Sequence, residues 1–191
     1  MRSRMLTLVL AVALIASLAS LATALRLPGD NRGHEPVQPI AYSHKLHAGD
    51  LKINCLYCHS GSERSRYAGI PAMSVCMNCH RQITASLAAV EQETAAAEKA
   101  QREAQRVVSP ELRKLYDGLA LDEDLAPLPD RTAKPIAWTK VHALPDFVRF
   151  NHSTHVVAGV TCQTCHGPIE TMERVRQEAS LSMGWCVNCH L

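Results

Sequence analysis

The run Cys-x-x-Cys-His occurs four times: CLYCH at 55–59, CMNCH at 76–80, CQTCH at 162–166 and CVNCH at 186–190. These runs use all eight cysteines: Cys55, Cys58, Cys76, Cys79, Cys162, Cys165, Cys186 and Cys189. Such a run is the attachment signature of c-type haem. Two thiols fix one porphyrin edge through thioether bonds, and the next residue delivers its imidazole to the iron from one side. Four covalently bound haem c groups are therefore expected. Two other readings leave the histidines unused. Zinc takes two Cys-x-x-Cys halves per metal and has no need of a His after each second Cys. A disulfide framework suits an exported chain with an even cysteine count but does not explain the adjacent imidazoles.

The same pattern appears twice. Ile40-Ala-Tyr-Ser-His44-Lys-Leu-His47 precedes CLYCH, and Met73-Ser-Val leads into CMNCH. Val148-Arg-Phe-Asn-His152-Ser-Thr-His155 precedes CQTCH, and Met183-Gly-Trp leads into CVNCH. Each copy holds two haem motifs and one His-x-x-His, which reads as duplication of a dihaem unit. The expected organisation is an N-terminal signal over 1–25, a first dihaem repeat over 26–80, a helical insertion and linker over 81–135, and a second dihaem repeat over 136–191.

An iron that only carries electrons takes two protein ligands. His59, His80, His166 and His190 are the proximal set. His44, His47, His152 and His155 match in number the irons still lacking a distal ligand. On a helical turn, side chains at i and i+3 lie on one face, so one His-x-x-His can serve two adjacent haems. Which haem each serves stays open. Met73 and Met183, three residues before a haem cysteine, read as apolar packing rather than as ligands. His142 is a reserve ligand, and His34 lies in a Gly/Pro-rich linker.

Arg2 and Arg4 precede an uncharged stretch from Met5 to Leu25. At roughly 20 residues it is long enough to span a bilayer as a helix. The arginines would remain cytoplasmic and the rest of the chain would be periplasmic. Ala22-Thr23-Ala24 also resembles a signal-peptidase site; a retained anchor is the favoured reading of the two. Phe, Trp and Tyr amount to only 4% of residues, so the core needs the flat apolar surface of the porphyrins. The formal charge of +2 names no partner, and there is no basic, aromatic-interleaved patch of the kind single-stranded nucleic acid uses.

Between the copies, Arg81 to Val107 is rich in Ala, Glu, Gln and Arg and lacks Gly and Pro. This predicts one long helix of about 40 Å at 1.5 Å per residue, with Glu98 and Arg102 as an i,i+4 pair. Ser109-Pro110-Glu111 predicts a second helix, with Ser as N-cap and Pro at its first position. Asp122 to Pro135 reads as a surface loop.

The segments HKLHAGDLKINCLYCHSG, AGIPAMSVCMNCH, SPELRKLY and KPIAWTKVHALPDFVRFNHSTHVVAGVTCQTCHGPIETMERV, with MGWCVNCH, resemble the multihaem cytochrome c subunit of alternative complex III, a bacterial quinol:electron-acceptor oxidoreductase. That subunit is of the class III multihaem type, in which a (F/Y)xHxxH run supplies distal ligands. It is typically pentahaem, whereas four motifs occur here, and the Arg81–Val107 segment looks inserted. The resemblance implies short helices and irregular loops around stacked haems and an N-terminal transmembrane helix, to which the composition adds one long inserted helix. It also implies an electron-transfer protein rather than an enzyme. The chain would sit on the periplasmic side of the cytoplasmic membrane. Its partners would be an iron–sulfur subunit related to molybdopterin oxidoreductases, polytopic quinol-binding subunits, and a soluble cytochrome or oxidase as acceptor. A free periplasmic shuttle is the alternative. A multihaem reductase with an open iron position is disfavoured, because eight histidines in motifs serve four irons.

Overall fold

The computed structural model of the chain describes residues 2–24 and 30–191. Among the described residues there are short helices and loops and no strand. The sole extended pairing among them is an isolated bridge between Leu121 and Pro127. The helices are α1 (Arg2–Ala24), α2 (Cys55–Cys58), α3 (Met73–His80), α4 (Leu87–Lys99), α5 (Pro110–Gly118), α6 (His152–Val157), α7 (Cys162–His166) and α8 (Met183–His190). A π-helical turn, Lys45–Asp50, and a 3-10 turn, Ile169–Thr171, complete them.

The stretch that the sequence assigns to an anchor is helical, and its side chains from Met5 to Leu18 are exposed. Among the described residues, however, no helix is long and apolar enough to cross a membrane. The expected transmembrane helix over Met5–Leu25 is not found among the described residues, and its last residue, Leu25, lies outside them.

The long inserted helix is also corrected. Ser86 caps the N-terminus of α4 by accepting from Ala89 N, and α4 ends at Lys99 after 13 residues. Gln101 then adopts φ 51°, a left-handed conformation that stops helix propagation. The chain doubles back, so Arg102 pairs with Glu93 (2.6 Å) rather than with Glu98. Helix propensity did not foresee this, because the returning segment is held by tertiary bonds. Thr84 Oγ1 donates to Val107 O, Ser109 N to Thr84 O (2.8 Å), and Arg106 Nη2 to Arg81 O (2.8 Å). The segment is therefore a folded-back lobe attached at the end of α3, not an extended arm.

Ser109 caps α5 by accepting from Leu112 N, with Pro110 in the first turn. The buried face of α5, Leu115 and Tyr116, joins Met77 of α3 and Val108 in the main apolar cluster. Ile40, Met73, Cys76, Leu112, Leu119, Leu121 and Leu125 pack around it. Tyr116, 2% exposed, donates its hydroxyl to His80 O. The insertion thus buttresses the helix that carries the second haem motif.

The two repeats interlock. Lys45 N donates to Met172 O (2.9 Å), and Lys45 Nζ pairs with Glu173 (3.3 Å). Reciprocally, Ser153 N donates to Ser65 O (3.2 Å) and His152 N to Arg66 O (3.3 Å). Each His-x-x-His segment is thereby pinned to the loop between the two motifs of the other repeat. Gly49 makes the closest approach: a Cβ there would collide with the backbone carbonyl of Glu170.

Candidate cofactor site

The first motif of each repeat occupies a single helical turn, α2 or α7, and the second ends an eight-residue helix, α3 or α8. Side chains three apart on a helix share a face, which puts both thiols of each motif on one side and the following imidazole beside them. None of the eight cysteines is paired in a disulfide. Among the described residues, no group of three or more His, Cys, Asp or Glu side chains could hold a metal ion.

The proximal and distal histidines meet in four pairs. His44 and His59 lie with ring centroids 6.5 Å apart and planes at 4°. His152 and His166 repeat this at 6.4 Å and 6°. His47 and His80 are 6.1 Å apart at 65°, and His155 and His190 are 5.9 Å apart at 83°. An imidazole on each side of one metal, at about 2.0 Å per bond and about 1.1 Å from nitrogen to ring centre, requires about 6.2 Å between centres. Every pair fits that requirement. Within each His-x-x-His, the first histidine therefore faces the first motif of its own repeat and the second faces the second. Sequence had left this pairing of rings open.

Hydrogen bonds select the tautomer. Nδ1 of His47, His59, His80, His152 and His155 lies 2.7–3.0 Å from the carbonyls of Ser43, Gly69, Ile83, Arg66 and Asn151. A carbonyl only accepts, so Nδ1 carries the proton and Nε2 keeps its lone pair for a metal. His166 Nδ1 instead contacts His142 Nε2 at 3.1 Å. His44 Nδ1 is buried without a partner. Burial lowers the His44 imidazole from its ordinary 6.5 to about 4, with His59, His47 and His142 adding to the effect. Burial, then His142 and His152, lowers His166 to about 3. Both rings are thus neutral at pH 7, the form that ligates.

One aromatic ring orients two ligands in each repeat. Tyr42 stacks on His47 (4.4 Å, 22°) and meets His44 edge-on (4.9 Å, 82°). Phe150 does the same with His155 (4.6 Å, 28°) and His152 (4.8 Å, 85°). Their signal in the sequence is an aromatic two residues before the first histidine of each pair.

The pairs of the two repeats are linked electrostatically. Cys55 and Cys162 are within hydrogen-bonding reach across the repeats, and burial leads the effects that raise the Cys162 thiol. His59 and His44 act electrostatically on His166. Burial raises the Cys58 and Cys165 thiols, with further contributions from Cys76 and Cys79 on the first and from Cys189 and Cys186 on the second. The two coplanar pairs, His44/His59 and His152/His166, are thus the ones that act on each other across the repeats.

The remaining residues singled out by sequence fall outside these pairs. Met73 packs on the Tyr116 cluster, close enough to the end of α5 that a Cβ at Gly118 would sit 3.0 Å from its Sδ. Met183 is 44% exposed at the start of α8. His142 lies behind His166 as a hydrogen-bond partner, whereas His152 faces His166 at the ligand separation. His34 is half-buried, with its backbone carbonyl accepting from Gln177 N (3.1 Å). Sequence reading missed Gln177. It is fully buried, accepts from Ala143 N (2.9 Å) and donates to the carbonyls of Ala179 and Ser180.

No family model matches the chain. It is 28% identical over 129 residues to the menaquinone reductase multiheme cytochrome c subunit of Nitratidesulfovibrio vulgaris. That alignment takes in 68% of this chain and 45% of the relative, so the chain spans less than half the length of the curated relative it matches. The likeness supports a multihaem cytochrome c family. It does not reach as far as alternative complex III.

Proposed function

We propose that the chain is a tetrahaem c-type cytochrome subunit that relays electrons between a quinone-handling membrane complex and a redox carrier on the periplasmic side. The observation that carries this reading is the set of four histidine pairs, each at the separation one iron requires. Cys55/Cys58, Cys76/Cys79, Cys162/Cys165 and Cys186/Cys189 would hold the porphyrins. Haem c, when bound, takes up and gives up single electrons without chemistry at the protein. The side chains supply ligation, spacing and burial, which set potential. Two ligands per iron leave no position for substrate, and this supports an electron-transfer subunit rather than a catalytic one.

The Arg-flanked apolar helix α1 would direct the chain to the membrane and place the remainder outside the cytoplasm. Partners of the iron–sulfur and quinol-binding kind follow from the resemblance to the alternative complex III subunit, with electrons leaving a quinol. The name of the relative, a menaquinone reductase, supports the opposite direction, toward quinone. Mixing the purified complex with a menaquinol analogue, and separately with a reduced soluble cytochrome, distinguishes the two by which donor reduces the haems.

The reading itself is tested by pyridine haemochrome of the acid-acetone-extracted protein, with four covalent haems per chain expected. A count of two or fewer, or stoichiometric zinc, overturns it. Extraction that requires detergent supports attachment to the membrane; full release by salt or osmotic shock favours a free shuttle.

A further inference from the structure

His142 is one of the two histidines, with His34, that the four pairs leave over, and its surroundings are built. It lies in the segment 141–144, whose backbone is fastened on both sides of the residue. Val141 O accepts from Asn31 Nδ2 (3.3 Å) and Ala143 N donates to the fully buried Gln177 Oε1 (2.9 Å). Gln38 and Thr139 exchange two further bonds of 2.9 Å just upstream. This frame presents Nε2 of His142 to Nδ1 of His166 at 3.1 Å, with the rings nearly perpendicular at 86° and centroids 4.4 Å apart.

If His166 ligates through Nε2, its proton is confined to Nδ1, so His166 donates and His142 Nε2 accepts. The other ligands with a fixed Nδ1 bond donate to backbone carbonyls. An imidazole nitrogen is a stronger base than a peptide oxygen, so the acceptor at His166 differs in kind. A second-shell acceptor raises the basicity of the ligand it holds. A more basic ligand favours the ferric over the ferrous iron, which lowers the potential.

We propose that His142 is a positioning residue that, through the hydrogen bond from His166, holds the haem site at Cys162, Cys165 and His166 at a lower potential than an acceptor-free site would have. The inference rests on the haem reading above. It makes His142 the specific lever on the site at His166.

The test uses the full holoprotein and the variants His142→Phe, His142→Leu and His142→Gln. The first two remove the acceptor; the third places an amide oxygen near the former Nε2. Haem count and spin state are read first, then an optical redox titration resolved into four components. Phe and Leu are expected to keep four low-spin haems and to move one potential upward while the other three stay. Gln should return that potential most of the way. Should neither acceptor-free variant fold, Gln alone decides, because the weaker amide acceptor still predicts a smaller upward shift in one component. Unchanged titrations, an equal shift in all three variants, or one haem turning high-spin overturns the proposal; the last outcome makes His142 an axial ligand. Fewer than four low-spin haems in the parent protein overturns the haem reading instead, and is seen before any variant is made.

Discussion

The imidazoles of His152 and His166 lie 6.4 Å apart with planes within 6° of parallel, while the next pair, His155 and His190, is crossed at 83°. The difference arises within one six-residue helix, α6. The same ring, Phe150, meets one of its histidines edge-on and stacks on the other. The first repeat reproduces the contrast with Tyr42, at 4° for His44/His59 and 65° for His47/His80.

Two classes of ferric signal should follow. Coplanar imidazoles lift the degeneracy of the iron d orbitals and give rhombic low-spin spectra; crossed imidazoles give highly anisotropic ones. Low-temperature EPR should show both, in equal amounts. His152→Ala should remove one rhombic component and His155→Ala one anisotropic component, each yielding one high-spin or CO-binding haem with the covalent count unchanged. If His155→Ala depletes the rhombic class instead, the pairing is wrong.

Tyr116→Phe tests the link between the insertion and the second motif. The change deletes the donor to His80 O and leaves a part-buried carbonyl unpaired, at a cost of about 1 kcal/mol. Denaturant titration should register that loss. The anisotropic class should also shift in part, since His80 belongs to a crossed pair. A variant as stable as the parent would show that the lobe does not brace α3.

Gly49→Ala probes the junction between repeats. The added Cβ meets the Glu170 carbonyl, a backbone atom that cannot rotate away, so the π-helical turn and the 3-10 turn must separate. Overpacking of this kind costs typically about 1–3 kcal/mol. Thermal unfolding should be earlier, and the rhombic signals of the coplanar pairs should broaden or split. An unchanged melting curve and spectrum would rule out close packing there.

Gln177→Ala strips the acceptor from Ala143 N and the donor from the Ala179 and Ser180 carbonyls. Unpaired buried groups cost about 1–3 kcal/mol each, so this should be the most destabilising of the three stability variants. Loosening of the 141–144 segment should also move the potential of the site at His166 in the same direction as removal of His142. Destabilisation without any change in potential would separate the clamp from the site.

The eight cysteines and eight paired histidines were legible in the sequence because their chemistry is local. A Cys-x-x-Cys-His run brings two thiols and an imidazole together within one turn, whatever surrounds it, and the i,i+3 spacing puts two further imidazoles on one face. The duplicated pattern carried the aromatic at Tyr42 and Phe150 for the same reason. The cap and Pro110 start of α5 were equally local, and the structure agrees with them. The length of the insertion helix was not. Its fold-back depends on bonds from Thr84 to Val107 and from Arg106 to Arg81, between residues about 25 positions apart that no propensity relates. Nor could sequence say which histidine meets which motif, or that His142 stands behind His166 with Gln177 fastening the neighbouring backbone. Those outcomes depend on how two loops cross between repeats, and a carbonyl such as that of Arg66 leaves no mark in the identity of its residue.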